Sequence, residues 1–371
     1  MSKSNRLNKK LDLNIVSKYR QPIYGFAILW IVFFHGAAIN NINYSFGCNS
    51  LKILRLFMIS GNVGVDIFLF LSGICLYFSY HKNPNSYEFI KKRIFRVVLP
   101  VWIINGIYWF IVNVLINKQG IFSFINRMFL FHFWETGDQA IWFVSCILIL
   151  YFMYPYIYQF LFNKENSNKV IIIRGLLLLV CTYLFIISFS KTNISLYNTI
   201  EIALTRFPVF ILGCIMGKFV FEDVKIPSYW KLISIIGTLL FFYVKYENLL
   251  NGYYLRFFYL IGGVSLTYLL AILFSFIDKL FKKRKSYFLN ILSIIGEFSL
   301  ELYLSHITIN KIYYMLPFYE KSNLYKYLIV VILSIILASL SHKICQLISK
   351  TINKNKDNHY DKIKRKNIKK V

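Results

Sequence analysis

Three ionisable side chains interrupt segments of the chain that are otherwise apolar. His35 ends the stretch YGFAILWIVFFH, Asp66 lies in GVDIFLFLSG, and His306 ends LYLSH. A neutral imidazole can take a proton from a hydroxyl near neutral pH, and a carboxylate can hold an imidazole in one tautomer. Ionisable groups inside apolar segments are costly to insert and usually face a bundle interior or a wet cavity. The pattern therefore favours acid–base chemistry inside a helical bundle.

Two arginines form a second candidate site of a different chemical kind. Arg93 and Arg96 lie three residues apart in KKRIFRVVLP, which puts both guanidinium groups on one face of a helix. A guanidinium binds phosphate through two parallel hydrogen bonds, so the pair is a candidate phosphate site. The alternative is that the pair only anchors a membrane helix at its positively charged end. Pro100, at the end of this stretch, is expected to kink or interrupt the helix.

The composition indicates that membrane helices position these side chains. The 371 residues are 57% hydrophobic and 19% aromatic, with a mean hydropathy of +0.54. Repeated apolar runs of about 20 residues are long enough to cross the hydrocarbon core of a bilayer. The sequence predicts an all-α, polytopic membrane protein with about ten transmembrane helices. The predicted spans are residues 22–40, 62–80, 95–117, 140–162, 170–190, 205–221, 229–247, 254–277, 288–309 and 324–347.

The distribution of charge predicts the orientation of the chain and argues against nucleic-acid binding. The net charge is +27, but the basic residues occur in short clusters between apolar segments and in a C-terminal tail. Lys and Arg are dense on alternate connections, so the positive-inside rule places both termini in the cytoplasm. We expect a basic cytoplasmic N-terminus at 1–21, a ten-helix domain at 22–347 and a basic cytoplasmic tail at 348–371. The predicted location is the plasma or inner membrane of the cell.

This orientation gives each polar group within the membrane a predicted depth. His35, Asp66 and His306 fall in the outer halves of their spans, and Trp142 and Arg206 begin spans on the same outer side. The arginine pair lies at the inner side. Such a division suits an enzyme that takes an activated donor from the cytosol and modifies an acceptor outside.

Other polar groups carry weaker signals. The cysteines have no metal-ligand spacing, and no metal ion is predicted. Glu297 and Glu301 are four residues apart in an apolar run, and they indicate either a buried ion pair with an Arg or Lys of another helix or part of a proton path. His132 lies in RMFLFHFW, which is typical of an amphipathic stretch at the membrane surface.

An ordered set of motifs gives the chain a family resemblance. The motifs are YGFAILWIVFFH, GVDIFLFLSG, RIFRVVLP, IWFVSCILILYFMYP and IGEFSLELYLSH, with FPVFILGCIMGK as weaker support. Each motif alone is weak, but together they extend over nearly the whole chain. In this set and order they resemble the acyltransferase 3 family of integral membrane O-acyltransferases.

The resemblance implies a fold, a reaction and several site residues. It implies about ten helices, acyl-CoA as the donor, and as the acceptor a sugar hydroxyl of a surface polysaccharide or glycolipid. The essential histidine of the family corresponds to His35, and its arginine pair to Arg93 and Arg96. The chain departs from the family at Tyr24, where a basic residue is usual eleven positions before the histidine. Either Arg20, one turn earlier, supplies the missing charge, or the donor pocket differs.

The combined interpretation assigns a role to each candidate residue. His35 acts either as a general base or as a transient acyl carrier, and the Asp66 carboxylate orients its imidazole. The resemblance implies acetyl-CoA as the donor, which is a substrate, and no permanently bound cofactor is predicted. The expected partners are acyl-CoA, a cell-surface polysaccharide or lipid-linked sugar, and the bilayer. Acyl-CoA binding is assigned to Arg93, Arg96, Arg20 and Tyr24, and acceptor binding to Trp142, Tyr303, His306 and Arg206.

Two other classes of membrane protein share part of this pattern. A transporter or exporter of a sugar-linked or small solute would use His35 and Asp66 as a proton relay. A binding or sensory protein would keep the fold without the chemistry. The arginine pair discriminates between these classes, because a proton relay gives no reason for two guanidinium groups on the cytosolic side.

Overall fold

The structure, a computed structural model, is built almost entirely of helices. It describes residues 11–39, 49–163, 167–281, 286–315 and 324–368. Parts of the predicted N-terminus (1–10) and tail (369–371), and Asn40 of the first predicted span, lie outside these residues. The strands β1 (Leu11–Asp12) and β2 (Lys225–Ile226) pair antiparallel, with Leu11 opposite Ile226. Apart from this two-residue pairing, the described residues contain no strands, and the all-α prediction is confirmed.

The first half of the chain begins with a short helix and then forms the helices that carry the first three predicted spans. A 3-10 turn at Gly61–Val63 leads into the second of these spans. The helices are α1 (Ile15–Lys18), α2 (Arg20–Ile39), α3 (Asn49–Ile59), α4 (Gly64–Lys82), α5 (Ser86–Val101), α6 (Ile107–Trp109), α7 (Gly120–Met128) and α8 (His132–Thr136).

The second half contains longer helices, of which the last continues from the membrane segment into the basic tail. Each of the ten predicted spans coincides with a helix, or with a pair of helices, in the described residues. The helices are α9 (Trp142–Phe162), α10 (Asn168–Thr192), α11 (Ile194–Leu204), α12 (Phe207–Phe221), α13 (Tyr229–Tyr246), α14 (Gly252–Leu280), α15 (Tyr287–Glu297), α16 (Ser299–Tyr314) and α17 (Leu324–Ile368).

The length and hydropathy of the described helices bear on the predicted number of membrane spans. Among the described residues, 7 helices are long and apolar enough to cross a membrane, or 8 if the bent pair α15–α16 counts as one span. The count of about ten is therefore not confirmed. The peripheral helix α10 exposes large apolar side chains such as Ile173, Leu176 and Leu184, as expected where a helix faces lipid.

The third predicted span changes its hydrogen-bonding pattern directly after Pro100. Two π-helical segments, Trp102–Gly106 and Phe110–Ile116, flank the short α6. Proline has no N–H and its ring crowds the carbonyl one turn earlier, so a regular α-helical ladder is interrupted at this position. The expected interruption is confirmed. Single π-helical turns occur frequently at functional sites.

The ninth predicted span, 288–309, is two helices rather than one. α15 and α16 meet at Phe298 with an angle of 73° between them. A broken helix is tolerated within a membrane only where its free backbone groups are buried in protein or face a cavity. On the α15 side, Gly296 packs so closely on α2 that a Cβ atom there would lie 2.1 Å from the carbonyl oxygen of Gln21. The bend thus occurs where α15 is fixed against α2.

The contact between α4 and α12 depends on two facing glycines. A Cβ atom at Gly213 would lie 2.2 Å from the carbonyl oxygen of Phe70, and one at Gly73 would lie 2.6 Å from that of Phe210. Small residues allow the backbones of membrane helices to approach this closely. The contact is relevant to the site because α4 carries Asp66 and α12 directly follows Arg206.

We expect Gly213→Val to destabilise the protein by about 1–3 kcal/mol, because the added side chain must push α4 and α12 apart. The free energy of unfolding in detergent measures this effect. Gly106→Ala is the control, since its Cβ would meet only the flexible side chain of Met128 at 3.4 Å. Equal stability of the Gly213 variant and the wild type would show that the helices do not depend on this close contact.

Candidate active site

All four residues predicted to bind the donor line one cavity. Arg20 and Tyr24 enter it from α2, and Arg93 and Arg96 enter it from α5. The cavity has a volume of about 510 Å³. We call the part lined by the three arginines the arginine end. The tertiary structure therefore brings together two segments that are about 70 residues apart in the sequence.

The arginine end is strongly basic and partly preorganised. The Nη2 of Arg93 donates a hydrogen bond to the Oγ of Ser79 at 2.7 Å. Its guanidinium lies 5.3 Å from the ring centroid of Phe89 and 5.7 Å from that of Tyr151. These contacts hold the planar group in place while leaving donors for an anion. An adjoining cavity of about 280 Å³ shares Ser79, Arg93 and Arg96 and adds Lys92.

Tyr24 occupies the position at which the family usually has a basic residue. Its ring stacks on Phe68, with 5.1 Å between centroids, and its hydroxyl lies 3.9 Å from the Sγ of Cys75. Arg20 lines the same cavity one helical turn earlier. Positive charge on α2 is therefore present at the arginine end even though Tyr24 itself is neutral.

A series of aromatic contacts leads from Tyr24 towards the two histidines. The ring of Phe68 lies 6.0 Å from that of Phe143, Phe143 lies 5.4 Å from Tyr303, and Tyr303 lies 5.6 Å from His306. Tyr24, Phe68, Phe143 and Tyr303 all line the cavity. On α2 the lining residues extend to Ile31. The cavity thus reaches a point one helical turn from His35.

His35 and His306 form a directly bonded pair, which we call the histidine pair. The Nδ1 of His35 lies 2.7 Å from the Nε2 of His306, and the two rings are stacked with 4.9 Å between centroids. His306 is 1% exposed, whereas His35 is partly exposed. The prediction that these residues share one depth is consistent with this contact.

Hydrogen bonding determines which nitrogen of each neutral ring carries the proton. The Nδ1 of His306 lies 3.0 Å from the carbonyl oxygen of Leu302, and a carbonyl oxygen can only accept. The proton of His306 is therefore on Nδ1, and its Nε2 accepts from the Nδ1–H of His35. This assignment leaves the Nε2 of His35 with a free lone pair. His35 can then take a proton at Nε2, and its hydrogen bond to His306 stabilises the resulting positive charge.

Asp66 does not orient His35, which corrects that part of the sequence interpretation. Its Oδ2 lies 3.7 Å from the Nε of Arg206, and both side chains are almost fully buried. Arg206 also donates to the carbonyl oxygen of Ile202 at 2.8 Å and lies 4.7 Å over the ring of Trp142. Among the described residues, His306 and not Asp66 is the hydrogen-bond partner of His35. A proton relay that passes directly between His35 and Asp66 has no support in this geometry.

The predicted acceptor residues divide between these two clusters. His306 bonds His35 and Tyr303 packs on His306, whereas Arg206 pairs with Asp66 and lies over the ring of Trp142. The close contact of α4 with α12 explains the second cluster, because it brings Asp66 opposite the residue that precedes α12. The predicted depth therefore grouped five residues. In the structure, His35 and His306 form one cluster, and Asp66, Arg206 and Trp142 form another.

The partner of Glu301 is a histidine rather than a lysine or an arginine. The Nδ1 of His342 lies 2.8 Å from the Oε1 of Glu301, and the Nε2 of His342 lies 2.9 Å from the Nε2 of Gln346. The network joins α16 to α17. The expected Arg or Lys partner is thus replaced by a histidine, which pairs as an ion with Glu301 only when it is protonated.

Several residues at the site were not found from the sequence. Ser79 holds Arg93, and Tyr151 packs on it, yet neither residue type stands out in an apolar helix. Asn105 is 2% exposed and donates to the Oγ1 of Thr308 at 2.8 Å. An asparagine in an apolar span, five residues after Pro100, was the available signal for this contact.

A comparison with known protein families identifies the family of the chain. A protein-family model described as an acyltransferase domain, acyltransferase 3, matches residues 25–343. No curated protein and no solved structure matches the chain. The matched region covers most of the chain and contains the histidine pair and the two arginines of α5. The protein therefore belongs to the acyltransferase 3 family of membrane acyltransferases.

Proposed function

We propose that the protein transfers an acyl group, acetyl in the simplest case, from acyl-CoA to a sugar hydroxyl of a cell-surface polysaccharide or lipid-linked glycan. The observation that carries the proposal is the single cavity with arginines at one end and aromatic contacts to the histidine pair at the other. A CoA thioester needs both features, because its phosphates lie at one end and its reactive carbonyl at the other.

The arginine end suits the phosphate groups of CoA. Arg20, Arg93 and Arg96 offer guanidinium donors to phosphate oxygens, with which they form short, charge-assisted hydrogen bonds. The cavity follows α2 from Arg20 to Ile31, a distance of about 16 Å at the helical rise of about 1.5 Å per residue. This elongated, mostly aromatic and aliphatic passage suits the extended arm that carries the thioester.

The histidine pair suits the proton transfer that accompanies acyl transfer. The acceptor hydroxyl gives its proton to the Nε2 of His35 while its oxygen attacks the thioester carbonyl carbon. The carbon–sulfur bond then breaks, and the CoA sulfur leaves with the proton from the His35 imidazolium as a thiol. His306 accepts from His35 throughout and favours the charged form of the base, because its own Nδ1–H is bound to the Leu302 carbonyl.

In this proposal the arginine end faces the cytosol, and the histidine pair lies towards the extracytoplasmic side. The support is the density of Lys and Arg on alternate connections, which by the positive-inside rule puts the connection before α5 in the cytosol. The donor and the acceptor then approach from opposite sides of the membrane. A cysteine placed at Lys191 would react with an impermeant thiol reagent on whole cells, and one at Lys92 would not.

We expect Arg93→Gln and Arg96→Gln each to weaken acetyl-CoA binding by about tenfold or more, because each removes a charge-assisted hydrogen bond to phosphate. Equilibrium binding of radiolabelled acetyl-CoA to the purified protein in nanodiscs measures this. The matched control is Arg174→Gln on α10, whose guanidinium instead donates to the carbonyl oxygen of Phe160. If both cavity variants bind acetyl-CoA as tightly as the control, the arginine end is not the donor site.

A transfer assay tests the reaction itself. Radiolabelled acetyl-CoA is supplied to the protein in nanodiscs together with cell-envelope glycan from cells that lack this chain. We expect label in the glycan as an alkali-labile ester, since the product is an O-acyl sugar. Solute movement across the membrane without any label transfer from acetyl-CoA would instead support a transporter.

A further inference from the structure

A further cavity lies beyond the histidine pair along α16, and we call it the Lys311 pocket. Its volume is about 330 Å³, and it is bounded by α16, the second π-helical segment, α7 and the loop before α9. Lys311 follows His306 by five residues, so their Cα atoms are about 7.5 Å apart along the helix axis. Polar residues that line the pocket are Tyr108, Asn113, Gln119, Arg127, Asp138 and Lys311.

The charges in the Lys311 pocket are unequal. The Oδ2 of Asp138 lies 3.1 Å from the Nη1 of Arg127 and 3.9 Å from the Nζ of Lys311. Its Oδ1 accepts a hydrogen bond from the backbone N–H of Ala140 at 3.0 Å. One carboxylate therefore faces two cationic side chains, and one positive charge is left in excess.

Neighbouring groups keep this charge imbalance at neutral pH. Burial alone would raise the pKa of Asp138, but Lys311, the N–H of Ala140 and Arg127 outweigh it and lower that pKa. His132 lies 3.6 Å from Asp138 with its side chain 19% exposed, so it is less exposed than the predicted surface position implies. Burial and then Arg127 lower the pKa of His132, which favours its neutral form.

Two buried donors of the pocket have no hydrogen-bond partner among the described residues. Asn113 is 6% exposed, and its Nδ2 is unpaired, as is the Nε of Arg127. A buried donor without an acceptor costs free energy, and such groups in proteins are usually satisfied by a ligand or a water. Donors next to an excess positive charge favour an anionic oxygen over a neutral one.

Polar groups also connect the pocket with the histidine pair. Thr308 and Asn310 lie between His306 and Lys311 on α16. Asn105 binds Thr308, and the side-chain oxygens of Asn105 and Asn310 have no partner among the described residues. These oxygens can accept hydrogen bonds from sugar hydroxyls. Polar atoms therefore lie between the histidine pair and the Lys311 pocket.

We propose that the Lys311 pocket binds an anionic substituent, a carboxylate or a phosphate, of the acceptor glycan and thereby positions a nearby sugar hydroxyl at His35. The inference rests on the proposed function, because it assumes that His35 is where the acceptor reacts. It adds a specificity: acidic glycans are acceptors, and their neutral counterparts are poor ones.

The test uses the full chain in nanodiscs, radiolabelled acetyl-CoA and envelope glycan from cells that lack the chain. The glycan is supplied untreated, with its carboxyl groups reduced to alcohols, or with its phosphate removed by hydrofluoric acid. We expect one treatment to raise KM by about tenfold with little change in kcat, and that treatment identifies the anion. If neither treatment changes KM, the proposal is wrong.

Substitutions in the Lys311 pocket should change KM in opposite directions, according to the sign of the charge that each removes. Lys311→Gln should raise KM for untreated glycan, whereas Asp138→Asn should lower it, because Asp138 competes with the ligand for the two cations. A parallel rise in KM for both variants would show a purely structural cluster and overturn the proposal. Asn113→Ala should also raise KM, and it keeps the test decisive if a charge variant fails to fold.

Controls separate this inference from the proposed function. Lys191→Gln on α10 changes an exposed lysine that lines none of the cavities described above, and it should leave KM unchanged. If the wild type transfers no label to any glycan, the proposed function fails. If it transfers label but Lys311→Gln has the KM of the wild type, only the assignment of the Lys311 pocket fails.

Discussion

His35→Ala is expected to lower kcat for acetyl transfer by about 10²–10⁴-fold, the usual contribution of a positioned general base. The lost group is the Nε2 lone pair that the bond to His306 leaves free. Acetyl-CoA binding should persist, because the arginine end lies at the other end of the cavity. Label transfer to envelope glycan gives the rate, and equilibrium binding gives the donor affinity.

A second histidine variant separates the base from its partner. His306→Ala should lower kcat less than His35→Ala and should shift the pH–rate profile, because it removes the acceptor that sets the tautomer of His35. The wild-type rate should fall at acidic pH, where the base is protonated. His81→Ala is the matched control, since His81 contacts Tyr158 outside the cavity. If His35→Ala kept the turnover rate of the wild type, His35 would not take part in the reaction.

Asp66→Ala is expected to destabilise the protein by about 3–5 kcal/mol, because it leaves the buried Arg206 charge without its counter-ion. The double variant Asp66→Leu with Arg206→Met should recover most of this loss, since it removes both charges together. Chemical denaturation in detergent gives the free energies of unfolding of the single and double variants.

The ion pair between Arg256 and Glu201 is the matched control for this prediction. It has a similar separation of 3.8 Å, but its side chains are 18% and 26% exposed. Glu201→Gln should therefore change stability by only about 0–1 kcal/mol. The structural role of Asp66 would be wrong if Asp66→Asn were as stable as the wild type and yet much less active, with a displaced pH–rate profile.

The fold could be predicted in outline because apolar length is a local property. Every predicted span coincides with helix in the described residues, and the interruption after Pro100 follows from the missing N–H of proline. The bend at Phe298 was not predicted, since no proline marks it. It occurs where Gly296 packs on α2, a contact between segments that are distant in the sequence.

The candidate site could be predicted as a set of residues but not as a set of contacts. The ordered motifs identified His35, Arg93 and Arg96, and the spacing of the two arginines placed them on one face. The sequence interpretation paired His35 with Asp66, and the structure pairs it with His306. Both candidates were polar groups at a similar predicted depth, so no feature of the sequence distinguished between them.

By itself, the sequence determined that this chain is a helical membrane protein, and it predicted that the arginines and histidines lie at different depths. Apolar length and charge distribution are sufficient for that, because the bilayer imposes a single coordinate, the depth, on every helix. Only the tertiary structure decided which side chains meet at one depth. The rotation of each helix, and the helices that it contacts, depend on close packing. One example is the contact of Gly73 with α12, which places Asp66 beside Arg206, whereas His35 bonds His306.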